Sequence, residues 1–467
     1  MIFADLVFIY MFLPVNLAIY YLSKNKVYRN LVLILFSLFF YSWGEPVWVC
    51  LLIFSSLVDY TCGLVIDKNR GKPMAKVAVF MSLLINLGLL GIFKYSSFFA
   101  ENLNFVLGTS FSIKKFALPV GISFYTFQTI SYTIDVYRDE TEVQHSFLNF
   151  LMYVSLYFQL VAGPIVRYRD VAMEIDSRKE CLNDFSHGLT RFCIGLTKKV
   201  MIANVAGKLS ETYLNASEGT LTVLGAWFGA VLFSIQIYYD FSGYSDMAIG
   251  LGNMFGFHFL ENFNYPYISR TVSEFWRRWH MSLGNFFRDY VYIPLGGNRR
   301  HQLLNLLAVW FLTGLWHGAS WNFIVWGLFY CVFIMIEKVI GEKRLQKIPS
   351  VIMHVYLLLV VIVGWVLFYF EDLQQGINYI TVMFGNSNAL YNPNDMIDFY
   401  NNIIWAAVAI ILSTPVLKLA KEKMVNKNKY LDAFWGTVIP IVNIILLVLC
   451  TSFLTGQSYN PFLYYKF

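Results

Sequence analysis

Apolar and polar positions alternate along this chain on the scale of whole helices. Twelve apolar runs stand out, at 2–22, 29–43, 47–66, 75–97, 117–134, 147–163, 219–238, 302–316, 320–337, 351–371, 400–417 and 434–454. A helix crosses the bilayer core with about 20 apolar residues, so the pattern predicts an all-α polytopic membrane protein of about 11–12 transmembrane helices. No soluble domain fits between the runs. Two stretches depart from the pattern. Residues 186–205, "SHGLTRFCIGLTKKVMIANV", are apolar at helical spacing but carry Arg191, Lys198 and Lys199, and read as an interfacial amphipathic helix. Residues 264–300 mix aromatics with Arg270, Glu274, Arg277, Arg278, Arg288 and Asp289 too densely to face lipid. They must be buried in protein, re-entrant, or at the inner surface. The chain therefore divides, within one integral membrane domain over 1–467, into N-terminal spans (1–163), an interfacial or re-entrant core (164–300), C-terminal spans (301–454) and an aromatic tail (455–467).

Loop charge sets the orientation, because cytoplasmic loops carry the excess of Lys and Arg. The loops 23–29, 67–76, 341–347 and 418–429 are basic, whereas 371–401 has four acids and no Lys or Arg. Twelve spans then leave both termini outside, with 186–205 omitted from the count. Lys114 and Lys115 on the outside, and the acidic loop 135–143 on the inside, run against this scheme. The first run has no basic residue before it and no small-residue cleavage site after it, so it reads as a retained span.

Composition agrees. The 467 residues are 57% hydrophobic and 14% charged, where a soluble domain carries about 25% charged residues. Aromatics at 18% suit many crossings of the interfacial belts. The net charge of +6 resides in short loops, so it sets topology and is no sign of a nucleic-acid partner. The six cysteines are scattered, form no CxxC pair and read as small apolar fillers.

Ionisable groups inside a membrane are costly and so become functional candidates. They gather in "YYDFSGYSDMAIG" (238–250), "EFWRRWHMSLG" (274–284) and "LWHGASW" (315–321). Asp240 and Asp246 can serve as partners for nearby arginines or as functional groups. Arg277 and Arg278 can snorkel to headgroups or hold the phosphates of a nucleotide-tailed donor. His280 and His317 are 37 residues apart with no Cys or Glu one turn from either, so no metal site is expected. The run that leads from "NRRH" (298–301) to His317 has only about 15 residues, or about 22 Å of helix against a core about 30 Å thick. His317 should therefore stop inside the protein in the outer half of the bilayer, beside Trp316. A ring buried there stays neutral and can act as a general base, or it can be a hydrogen-bonded packing residue. The tail 455–467 reads as an interfacial anchor, or as a source of a phenolic acyl acceptor.

Together with "LPVGISFYTFQTISYTIDVYR" (118–138) and "GPIVRY" (163–168), these motifs resemble the membrane-bound O-acyltransferase (MBOAT) family, in its bacterial alginate O-acetyltransferase-like branch. The resemblance implies an MBOAT-type bundle around a central tunnel, open inside to an acyl donor and outside to the acceptor. It places the family's histidine on His317, and on His280 a second position where many relatives have Asn or Asp. It gives His280 the role of orienting the donor or hydrogen-bonding an oxyanion, with Trp316, Asp240, Asp246, Arg277 and Arg278 as donor-binding or tunnel candidates. "PFLYYKF" resembles an aromatic ending whose tyrosine, here Tyr464, is proposed to take the acyl group first. The implied activity is transfer of an acyl group, acetyl above all, from acetyl-coenzyme A to an extracytoplasmic polysaccharide, with no permanently bound cofactor. The implied setting is the bacterial inner membrane, with a secreted or membrane-anchored hydrolase-like acetylation partner. The competing reading is a proton-coupled transporter with Asp240, Asp246, His280 and His317 as its relay, although the halves show no internal repeat.

Overall fold

The computed structural model describes residues 1–111, 116–161, 163–217, 219–425, 429–456 and 462–463, without the side chains of 421–422 and 424–435. Lys114, Lys115 and Tyr464 lie outside the described residues. Regular structure among the described residues is entirely helical. Among the described residues eight helices are long and apolar enough to cross a membrane, fewer than the twelve runs suggest. They are α2 (Lys26–Gly44), α3 (Val49–Lys68), α4 (Pro73–Leu107), α11 (Val223–Met254), α15 (Trp321–Ile340), α16 (Ser350–Tyr369), Pro393–Leu412 and Gly436–Thr455. A shorter apolar helix, α1 (Phe8–Tyr21), precedes them.

The runs at 117–134 and 147–163 behave differently from spans, for separate reasons. The first forms α5 (Ile122–Tyr137), in which Thr126, Gln128, Thr129, Ser131, Thr133 and Asp135 are buried with the apolar residues. A helix polar on this scale has protein on all sides, not lipid. The second breaks at Leu156 (φ −46°, ψ 113°) into α6 (Phe147–Ser155) and α7 (Tyr157–Leu160). The run at 302–316 does form a helix, α14 (Gln302–His317), of 16 residues.

Two compact units interleave in sequence. One comprises Met1–Cys193 and Tyr244–Leu260, the other Ile194–Gly243 and Glu261–Phe467. In the first, buried polar groups bind one another. Asp59 accepts from Ser82 at 2.5 Å and from Asn86 at 2.8 Å, while Arg29 pairs with Glu180 at 2.6 Å and Arg178 donates to Tyr20 and Asn30. Such pairing satisfies polar side chains that burial has taken out of water.

In the second unit the stretch 264–300 forms only short pieces, with α12 (Val272–Arg278) and α13 (Met281–Phe287) joined by Trp279 and His280. Thr271 caps α12 by accepting from Glu274 N–H at 3.0 Å. The buried carboxylate of Glu337 on α15 takes the N–H groups of Val272 and Ser273 at 2.6 and 2.9 Å. An anion at a helix N-terminus satisfies donors that have no partner within the helix, so Glu337 fixes where the broken segment sits. The expected interfacial helix at 186–205 is instead the middle of a continuous run: α9 (Leu182–Thr197), a wider π-type stretch at Lys198–Ala203, and α10 (Asn204–Leu214). Lys199, in the π-type stretch, is buried.

Candidate active site

α14 delivers His317 at its last turn, 6% exposed, after about 24 Å of helix. The helix returns as α15 after Gly318, and the two pack backbone to backbone. A Cβ on Gly314 would lie 2.4 Å from the Phe323 carbonyl oxygen, and one on Gly327 2.4 Å from that of Trp310. Small residues at such a crossing permit the close approach. The approach brings Trp326 edge-on to His317, with ring centroids 4.9 Å apart. Phe368 of α16 closes a second side at 5.3 Å and Trp316 a third at 4.9 Å.

His280 is held by other means. Its backbone is left-handed (φ 45°, ψ 53°), and its Nδ1 lies 3.1 Å from Oδ1 of Asn262. Its ring packs on Phe241 at 4.6 Å and on Trp316 at 6.1 Å. Trp316 thus touches both histidines. His280 lies outside the eight spanning helices, and its burial pushes the imidazole down to about 3, so the ring is neutral.

Sequence reasoning missed several open polar groups, among them one on Trp326, the ring against His317. The indole N–H groups of Trp276 and Trp326, and both polar side-chain atoms of Asn322, are buried with no hydrogen-bond partner among the described residues. Buried donors left open in this way call for an explanation, such as a ligand they meet. A wall of tryptophans gives no sequence signal that separates an open indole from a packing one. Asn262 was equally silent, because only the fold brings it to His280.

Asp240 pairs with Lys199 at 2.5 Å, and its other oxygen accepts the N–H of Leu463 at 2.6 Å. Lys199 also lies 4.6 Å from the ring of Phe462. The carboxylate is therefore a structural partner, of a lysine instead of an arginine, and it adjoins the site through Phe241. Asp246 has a different setting. It belongs to the other unit and binds Arg191 at 2.9 Å. Each carboxylate is thus committed to a cation, Asp240 to Lys199 and Asp246 to Arg191. Arg278 is bound to Glu274 at 3.0 Å, and Arg277 is exposed.

A cavity of about 1000 Å³ opens within the second unit, lined by Tyr369, Phe370, Glu371, Asn378, Tyr379 and Leu463 among others. Its wall begins one residue after Phe368, the ring that packs on His317. It opens at the end of α16 remote from the basic loop 341–347, which is the face the charge rule puts outside.

The model of the membrane-bound O-acyltransferase family matches residues 126–377. A protein named "Probable alginate O-acetylase" from Pseudomonas putida is 36% identical over 490 residues, covering 100% of both chains. Its namesake from Pseudomonas aeruginosa is 40% identical over 82% of this chain and 75% of that one. The peptidoglycan O-acetyltransferase of Helicobacter pylori is 30% identical over 98% and 96%.

Proposed function

Because the chain belongs to the membrane-bound O-acyltransferase family and is a multi-pass membrane O-acyltransferase, we propose that it moves an acetyl group from acetyl-coenzyme A to a glycan hydroxyl outside the bacterial inner membrane. The observation that carries this reading is the pair of buried histidines on one tryptophan, with a cavity lined by Tyr369, the neighbour of the Phe368 ring that packs on His317. The names of the full-length relatives support an acetyl donor and a glycan acceptor.

In the proposed step His317 takes the proton of the attacking hydroxyl, whose oxygen bonds to the thioester carbonyl carbon. The tetrahedral intermediate collapses with loss of the C–S bond, and the imidazolium returns its proton to the departing thiolate. The products are an ester and a free thiol, with His317 neutral again. Charge that develops on the carbonyl oxygen needs fixed donors in a dry site, and the open N–H groups of Trp326 and Asn322 suit it. The rings of Trp316, Trp326 and Phe368 exclude the water that would hydrolyse the thioester. Arg277, exposed, and Arg278 would meet the phosphates of the donor at the inner mouth. The aromatic ending "PFLYYKF" supports a reading in which Tyr464 takes the acetyl group first. A hydrolase-like partner outside would then pass it to the polymer.

The test is His317→Ala in the full-length protein, read as cell-surface O-acetyl ester. Loss of ester with normal membrane abundance supports the base role, whereas unchanged ester would dismiss it.

A further inference from the structure

The amide of Asn262 settles which nitrogen of His280 carries the proton. Its Oδ1 lies 3.2 Å from the backbone nitrogen of Ser282, and it also accepts from Ser282 Oγ at 2.9 Å. A backbone N–H can only donate, so the atom facing it is the carbonyl oxygen and not the amide nitrogen. His280 Nδ1, 3.1 Å from the same oxygen, must then be an N–H. In a neutral imidazole the other nitrogen is an acceptor. Asn262 supports the turn twice over, since its backbone carbonyl also accepts from Met281 N–H at 2.9 Å. Asn264 N–H binds the Arg278 carbonyl at 2.9 Å alongside. These bonds hold the left-handed backbone at His280, a conformation uncommon outside glycine and frequent where function demands it.

We propose that Asn262 is a positioning residue that locks His280 in the Nδ1–H tautomer, so that Nε2 accepts a hydrogen bond from an N–H or O–H of a substrate. A lone pair there repels developing negative charge, so the oxyanion is not its ligand. The fitting groups are an amide N–H in the thiol arm of coenzyme A or the hydroxyl about to attack. The tautomer stands on geometry alone. The identity of the substrate rests on the proposed acetyl transfer.

The ring's charged surroundings are mostly paired. On α11 Asp240, next to Phe241, is balanced by Lys199; on α12 Arg278 is balanced by Glu274, with Arg277 exposed beside it. Glu261 precedes Asn262, and His317 lies beyond Trp316. A carboxylate placed at 262 would be a new anion against Nδ1–H. It would favour the imidazolium, which donates from Nε2.

The experiment uses the full-length protein in lipid nanodiscs with ¹⁵N-imidazole histidine, the His280 signals being assigned by their loss in His280→Asn. In the resting protein Nδ1 is expected protonated and Nε2 bare, and the opposite pattern would overturn the lock whatever the enzyme's substrate. A non-reactive oxygen-for-sulfur analogue of acetyl-coenzyme A is then added, and separately a mannuronate tetramer. A shift of Nε2 with the analogue assigns the amide source, and one with the tetramer assigns the hydroxyl source. No shift with either removes the acceptor role. In Asn262→Asp, if the spectrum of the other histidines is retained, the pH at which the His280 Nε2 signal shows protonation should move up by about 1–3 units. An unmoved midpoint counts against the lock. Failure of wild-type protein to transfer acetyl, with the tautomer as expected, would sink the proposed function and leave the lock standing.

Discussion

The two histidines are delivered by opposite kinds of structure. His317 ends a regular helix, placed by glycine contacts between α14 and α15 and gripped by rings on three sides. His280 sits in a break between short helices, placed by hydrogen bonds from a distant asparagine. One is fixed by shape, the other by polarity. Rings hold His317 in place by contact, whereas under the proposed lock the bond to Asn262 sets the tautomer of His280 as well. A shape-held site should fail when volume changes, and a polarity-held one when a donor or acceptor changes.

The largest expected effect is on the shape-held side. His317→Ala should cut acetyl transfer by about 10²- to 10⁴-fold, the usual contribution of a positioned base, with thermal stability unchanged. Next comes Lys199→Met, which leaves Asp240 buried without its cation. Breaking a buried pair costs about 3–5 kcal/mol, so the melting temperature in detergent should fall sharply. The matched change Arg191→Met removes a pair that is 27% and 15% exposed and should cost about 1 kcal/mol or less. Equal losses from the two would show that the Lys199 pair is no more buried in function than its counterpart. Gly314→Val should follow, at about 1–3 kcal/mol, because its side chain meets backbone. Activity should fall further than stability alone explains, since Trp326 and His317 separate. The smallest effect is expected for His280→Asn, which keeps an acceptor and tolerates the turn. Transfer should drop less than in His280→Ala, and parity between them would collapse the distinction drawn here.

Much of the shape-held side was legible. A run of about 15 apolar residues after "NRRH" pointed to a histidine enclosed by protein at a helix end, and His317 is buried at the last turn of α14. The expectation follows from the thickness of a bilayer. The helix count was less legible, because hydropathy does not see a break such as Leu156 or a polar helix enclosed by protein such as α5. Lys199 looked like an interfacial cation, and its burial depends on Asp240, 41 residues later. The polarity-held side was almost invisible. Asn262 precedes His280 by 18 residues with no periodic relation, and an asparagine in a loop announces only a turn.

The left-handed backbone at position 280 also limits what evolution can try there. Glycine apart, the residues that enter this conformation most readily are Asn, Asp and His. Each has a side-chain acceptor, which in the Nδ1–H tautomer of His is the distal Nε2. The turn therefore screens its occupants for conformation before any substrate screens them for chemistry, and what passes is already a set of hydrogen-bond acceptors. A family with His at this position in one branch and Asn or Asp in others would be exploring the small alphabet that the backbone allows.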